Sequence, residues 1–338
     1  MASQRFPILF IAPSRIGDAV LSSGLVRALT DEIEAARFTI AGSALTTPLF
    51  AEVPGLARTI IIEKRPLGGH WFDLWNAVWR QRWGLVVDLR GSGLARFLRA
   101  RRRATHRSGG PMAHKVAEAA RLLKLEDDPP APFLYTSPET EARAAELTAG
   151  KGPILAIAPA ANWVGKTWPA ERFGLVARDL LGPNGPLAGG RLMLLGGPDD
   201  RKLALTLRAA LPKERVIDLV GRESLLVSYA ALKRARLFIG ADSGLMHMAA
   251  AAGAPTLGLF GPSDERLFAP WGPQGRTVRG ARSFEEIRAL DPQLNQQICH
   301  MMELRVDAVT AAARRLIAET EAPSGRESAA ENETRDVT

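Results

Sequence analysis

Ile8-Leu9-Phe10-Ile11 runs into Ser14-Arg15-Ile16-Gly17-Asp18 and then into an apolar-periodic segment over residues 19–29. Consecutive β-type apolar residues, a glycine-bearing turn and a helical period predict strand, tight turn and helix. The same unit recurs outward from this start. Residues 38–42, 59–62 and 85–89 read as further strands, the last entering Arg90-Gly91-Ser92-Gly93. In the second half, strands are predicted at 154–159, 191–197, 216–219, 237–240 and 256–261, with helices at 170–181, 200–210, 225–235 and 246–252. Strands alternating with helices predict parallel βαβ units in doubly wound sheets.

A change of character separates the halves. Residues 126–152 hold Asp127-Asp128-Pro129-Pro130, Pro132, Pro138 and Lys151-Gly152-Pro153, and read as a connector. With 338 residues the chain suits two α/β domains. The expected division is 1–150 and 151–318, with 319–338, polar and poor in large apolar groups, as a disordered tail.

Composition narrows the class. Apolar residues at 46% and charged residues at 24% are ordinary for a soluble globular protein. No apolar run reaches the ~18–20 residues of a membrane span, and the first residues lack a signal-peptide layout. The single cysteine, Cys299, excludes an internal disulfide and a cysteine zinc cluster, which suits a reducing cytoplasm. Net charge is +8, concentrated locally: residues 90–107 hold seven arginines and no acid. Such a patch suits phosphate, nucleic acid or an anionic lipid surface, or is simply a solvated face. Trp71, Trp75, Trp79 and Trp83 recur every four residues, which on one helix sets them near one face. Packing explains that stripe most simply; contact with a bilayer interface is the alternative.

In open parallel sheets, ligands sit beyond the carboxyl ends of the strands. Four turns stand there. In the first, Asp18 suits either a helix cap, which position alone favours, or a general base. The second, Ala160-Ala161-Asn162-Trp163-Val164-Gly165-Lys166-Thr167-Trp168-Pro169, opens a helix with a lysine, as a diphosphate site would. It lacks the P-loop spacing. The third, Gly240-Ala241-Asp242-Ser243-Gly244-Leu245-Met246-His247, sets a hydroxyl and helix N–H groups toward a phosphate, with Asp242 suited to sugar hydroxyls. The fourth is Gly261-Pro262-Ser263-Asp264, which Gly196-Gly197-Pro198-Asp199-Asp200 resembles. Capping explains the acids of these turns equally well.

These turns together resemble glycosyltransferase family 9, the lipopolysaccharide heptosyltransferases. The likeness rests on Arg15-Ile16-Gly17-Asp18 with Leu21-Ser22, Lys166-Thr167-Trp168-Pro169, Gly196-Gly197-Pro198, Asp242-Ser243-Gly244-Leu245-Met246-His247, Phe260-Gly261-Pro262-Ser263-Asp264, and Cys299 with Val306-Asp307-Ala308-Val309. It spans about residues 8–316. The resemblance implies a GT-B fold: two Rossmann-like domains facing across a cleft, the first for the acceptor and the second for the donor. It also implies an inverting, metal-independent transfer, usually from ADP-heptose onto the lipopolysaccharide inner core, with no cofactor.

By the same resemblance Asp18 is the base. Lys166 and Asn162 meet the donor phosphates, Asp242 the donor sugar, Ser243, Gly244 and His247 the phosphate-facing turn, and Asp200 the adenosine ribose. Where transferases of the first heptose carry hydroxyl residues before the lysine, this chain has Ala161 and Asn162. The basic residues Arg15, Arg90, Arg101, Arg102 and Arg103 are expected to hold an anionic, lipid-linked acceptor. The protein would then work in the cytoplasm, peripheral to the inner face of the membrane, without nucleic acid. Two rivals remain: a Rossmann nicotinamide or flavin oxidoreductase, which lacks its Gly-x-Gly-x-x-Gly turn at 14–20, and a non-catalytic polyanion-binding protein argued from charge.

Overall fold

The computed structural model describes residues 5–107, 109–294 and 297–321. The first half contains β1 (Phe6–Ile11), α1 (Ile16–Leu21), α2 (Gly24–Glu32), β2 (Ala36–Gly42), β3 (Leu56–Ile61), α3 (Gly69–Val78), β4 (Trp83–Asp88), β5 (Ala100–Thr105), α4 (Lys115–Ala120) and α5 (Pro138–Leu147). The second contains β6 (Ile154–Ala158), α6 (Ala170–Leu181), β7 (Arg191–Leu194), α7 (Arg201–Arg208), β8 (Val216–Asp218), α8 (Leu225–Leu232), β9 (Leu237–Ala241), α9 (Gly244–Ala251), β10 (Thr256–Phe260), α10 (Glu265–Phe268), β11 (Gly275–Arg279), α11 (Phe284–Leu290) and α12 (Val306–Glu321).

The strands form two parallel sheets, ordered β3-β2-β1-β4-β5 and β11-β10-β9-β6-β7-β8. This is the GT-B architecture. Ile8, Leu9, Phe10 and Ile11 are each 0% exposed, as a central strand covered on both faces by helices requires. Both sheets reverse their strand order beside the first strand of the half, between β1 and β4 and between β6 and β9. Ligands of open parallel sheets gather at such switch points.

The expected helix over 19–29 is two helices. The Ser22 hydroxyl donates to the Asp18 and Ala19 carbonyls and that of Ser23 to the Val20 carbonyl. The Ser23 oxygen also accepts the Phe133 N–H. A Cβ at Gly24 would lie 2.3 Å from the Pro130 carbonyl oxygen. The passage at Pro130 and Ala131 therefore docks where a continuous helix would carry side chains.

Trp83 does not share a helix with the other three tryptophans. α3 ends at Val78, and Trp83 opens β4, buried, donating its indole N–H to the Val78 carbonyl. The basic stretch supplies an edge strand, β5, with Arg101, Arg102 and Arg103 exposed on it. β11 is likewise an edge strand and was not expected. Both are arginine-bearing and lack apolar alternation, as unpaired sheet edges often do.

The connector contains a full helix, α5, capped by Ser137, whose oxygen accepts the Thr140 N–H. Glu52 accepts from the Ser137 N–H and the Thr140 hydroxyl, while Arg143 reaches Glu223 in the other half. One apolar cluster includes Phe10, Val20 and Phe38 together with Tyr229, Phe238 and Met246, so it crosses between the halves. The chain stays helical through Glu321, which moves the expected start of the tail past 319. Residues 322–338 lie outside the described residues. No helix among the described residues is long and apolar enough to cross a membrane.

Candidate functional site

Because every strand is parallel, the loops after β6, β7, β9 and β10 emerge along one edge of the second sheet. β6 and β9 are neighbours at the switch point, so their loops meet. There the Lys166 ammonium donates to Asp242 Oδ2 at 2.6 Å. Ser263, from the loop after β10, donates its hydroxyl to the same oxygen at 2.7 Å. His247, one turn into α9, sets Nε2 3.4 Å from Asp242 Oδ1. Asp242 is only 6% exposed and His247 3%. Burial works to raise the Asp242 carboxyl, but the His247 and Lys166 contacts outweigh it and hold the group well below the usual carboxylate range.

Three of the four quoted turns thus converge on one carboxylate. Ser263, quoted in its motif but given no role there, belongs to this hub. Next to it the Ser243 hydroxyl and His247 Nδ1 are buried and have no hydrogen-bond partner among the described residues. Ser243 also stands at the N-terminus of α9 without capping it. An unpaired hydroxyl beside free helix N–H groups is a donor set suited to an anion.

Asp18 reaches this edge from the other half. It lies inside the first turn of α1, which starts after Arg15 with no side-chain cap. The capping explanation therefore fails for Asp18. α1 and α9 meet at their first turns. A Cβ added at Gly17 would lie 3.1 Å from His247 Cδ2, and one at Gly244 2.5 Å from Ile16 Cγ2. Glycine is required at 244 by this contact. Burial raises the Asp18 carboxyl above its ordinary value; the Arg15, His247 and Lys115 charges work against that shift and the Asp242 charge adds to it. Those groups define the surroundings of Asp18. Lys115 and the neighbouring His114, whose Nε2 lies 2.9 Å from the Ala269 carbonyl and whose ring packs on Trp271, belong to no motif that sequence could flag.

The remaining expected residues are less closely gathered. Asn162 is exposed on the loop leading to Lys166. Asp200 has one oxygen engaged by the Gly197 N–H at 2.7 Å, which braces its own turn; burial raises its carboxyl. Arg90 follows β4, its guanidinium 4.6 Å from the Trp71 ring centroid. Arg101, Arg102 and Arg103 are not at the cleft. They stand in the body of β5, opposite residues of β4 upstream of Asp88, with neighbours pointing to alternate faces of the sheet. Arg103 is committed to the Ala95 and Leu98 carbonyls. No group of three His, Cys, Asp or Glu side chains able to hold a metal occurs among the described residues.

The sequence model of glycosyltransferase family 9 (heptosyltransferase) matches residues 79–293. The chain is 25% identical over 312 residues to lipooligosaccharide heptosyltransferase 2 of Haemophilus influenzae, covering 80% of this chain and 88% of that protein. The solved structure of Escherichia coli ADP-heptose lps heptosyltransferase II superposes with a TM-score of 0.73 at 20% identity, over 94% of this chain and 100% of that one. A family 9 glycosyl transferase from Veillonella parvula gives 0.75 at 19% identity, over 94% and 99%. With more than half its length matched by the family, this chain belongs to glycosyltransferase family 9, the heptosyltransferases, and is a glycosyltransferase.

Proposed function

We propose that this enzyme transfers a heptosyl unit from an ADP-linked donor to a hydroxyl of an anionic lipopolysaccharide core acceptor, with inversion and without a metal ion. The observation that carries the proposal is the meeting of α1 and α9, which sets Asp18 among the charges of the Asp242 hub. On this reading residues 1–150 bind the acceptor and residues 151–318 the donor.

The donor diphosphate lies at the N-terminus of α9, where Ser243 and the N–H groups near Gly244 donate to it. Lys166 meets the charge that grows on the leaving nucleoside diphosphate as the sugar–phosphate bond breaks. Asn162 borders the same phosphates, and Asp200 the ribose. Asp242, held ionised, orients Lys166 and His247 and faces the sugar. On the opposite side Asp18 accepts the proton of the acceptor hydroxyl as its oxygen bonds to the anomeric carbon. The raised Asp18 carboxyl supports this role, since a stronger base holds its proton better. Arg15 and Arg90 flank the entrance and meet acceptor anions. A lipid-linked acceptor implies work at a membrane surface.

The test is transfer with a panel of nucleotide sugars in the presence of chelator. ADP-heptose should be used and the product anomer should be inverted. Transfer only from another nucleotide sugar, retention of configuration, or dependence on a divalent ion would each overturn the corresponding part.

A further inference from the structure

Three aromatic rings form a ladder along one side of α3. Phe72 stacks on Trp75 with centroids 5.9 Å apart, and Trp75 on Trp79 at 5.5 Å and 12° between planes. Phe72, at its outer end, is 66% exposed, while Trp75 and Trp79 are half-buried, with one side packed on the apolar cluster under the first sheet. Trp75 donates its indole N–H to the carbonyl of Phe97, itself 75% exposed, so Phe97 extends the same surface. At the start of α3, Leu67 is held in the left-handed region (φ 53°) and wholly exposed. An apolar β-carbon side chain is disfavoured there, and solvent rewards neither its conformation nor its exposure. Contiguous exposed apolar surface of this kind marks an interaction site.

The rim of the surface is basic. Arg80 lies over the Trp79 ring, and Arg96 and Arg99 are exposed on either side of the segment holding Phe97. Arg101 shares the strand face of Arg103, which is bonded to that same segment. Between Arg80 and Lys115 the one acid in the sequence is Asp88, fully buried and consumed by the turn at Arg90 and Ser92.

We propose that the α3 ladder, Leu67 and Phe97 form a shallow membrane anchor, inserted at the interface of an anionic bilayer with the flanking arginines at its headgroups. Tryptophan favours that interface, and arginine beside it adds attraction to acidic lipid. This rests on the reading that the acceptor is lipid-linked and names the surface that meets the lipid. It also moves Arg101 from acceptor to headgroup and gives the exposed Arg96 and Arg99 the same partner. A second copy of the chain is a poorer occupant, because a twofold contact through this face would set arginines against arginines. Arg90, in the turn after β4, stacks over Trp71 of the same helix.

The experiment is co-sedimentation of the full chain with vesicles of phosphatidylcholine containing phosphatidylglycerol, against phosphatidylcholine alone. Binding should be stronger on the acidic vesicles and weaken with salt. Bromine on the acyl chains should quench tryptophan fluorescence. Leu67→Ser, Phe72→Ser and Phe97→Ser combined should cut binding about tenfold, with Phe97→Ser alone as a milder variant if the triple one folds poorly. Parental binding by the triple variant, or binding with no quenching, overturns the anchor. So does a parent that ignores vesicles but forms a dimer which the substitutions dissociate. Transfer to a lipid-free core oligosaccharide separates the two claims. If it proceeds at the parental rate in the variant, only the anchor is at stake; if no nucleotide sugar reacts, the proposed function fails whatever the vesicles show.

Discussion

Asp18 carries the most consequence for a single residue. Its carboxyl is raised by burial, so the folded state holds that proton more tightly than the unfolded chain does. Ionising it in the cleft costs stability, which falls as pH rises from the ordinary value of 3.8 through the raised one. Asp18→Asn should therefore melt higher than the parent near pH 7, a gain that vanishes in acid. The same substitution should lower kcat by ~10²–10⁴-fold while leaving donor affinity near the parental value. It should also remove the acid limb of kcat/KM, which in the parent is shifted upward from that of an ordinary aspartate. An active Asp18→Asn enzyme with an unchanged pH profile would dismiss it as the base.

Lys166 and Asp242 bind each other in a mostly buried pair, 24% and 6% exposed at their side chains. Removing one partner of such a pair typically costs about 3–5 kcal/mol. Lys166→Ala is expected to weaken ADP binding in calorimetry and lower the melting temperature together. Lost affinity alone, with stability intact, would mean the pair is not held in solution. The quoted motifs carried these residues into view from sequence. The bond between Lys166 and Asp242, 76 positions apart, was not readable, because only the order of the sheet makes β6 and β9 neighbours.

Among elements, the strands buried on both faces were readable because their apolar runs are continuous, as in β1, β6, β9 and β10. The edge strands β5 and β11 were not, since ladder bonds to a single neighbour sustain them with arginine-rich sequences. Trp83 misled for a related reason: a four-residue spacing carries no mark of where a helix stops. The start of α6 shows how the second sheet secures the loop that carries Lys166. Trp168 is 0% exposed, packs edge-on to Phe173 and donates to the Leu304 carbonyl just before α12. Trp168→Ala should destabilise the protein by about 3–5 kcal/mol in chemical denaturation. A loss under 1 kcal/mol would show that the site collapses without penalty.

Across the whole molecule, the halves are tied by more than their connector. The shared apolar cluster, Arg143 with Glu223, and His114 with Ala269 all bridge them. They also meet between α1 and α9, where Gly17 and Gly244 present bare backbone to each other's helices. The absent side chains act as a spacer of zero thickness, so the distance between Asp18 and the turn at the start of α9 can be lengthened by a methyl group at a time. A wedge at 244, first Ala and then Val, would prop the two halves apart. Turnover should then drop in steps, well ahead of any loss of ADP binding, since in the proposed function the nucleotide touches one side of the gap and the reaction needs both.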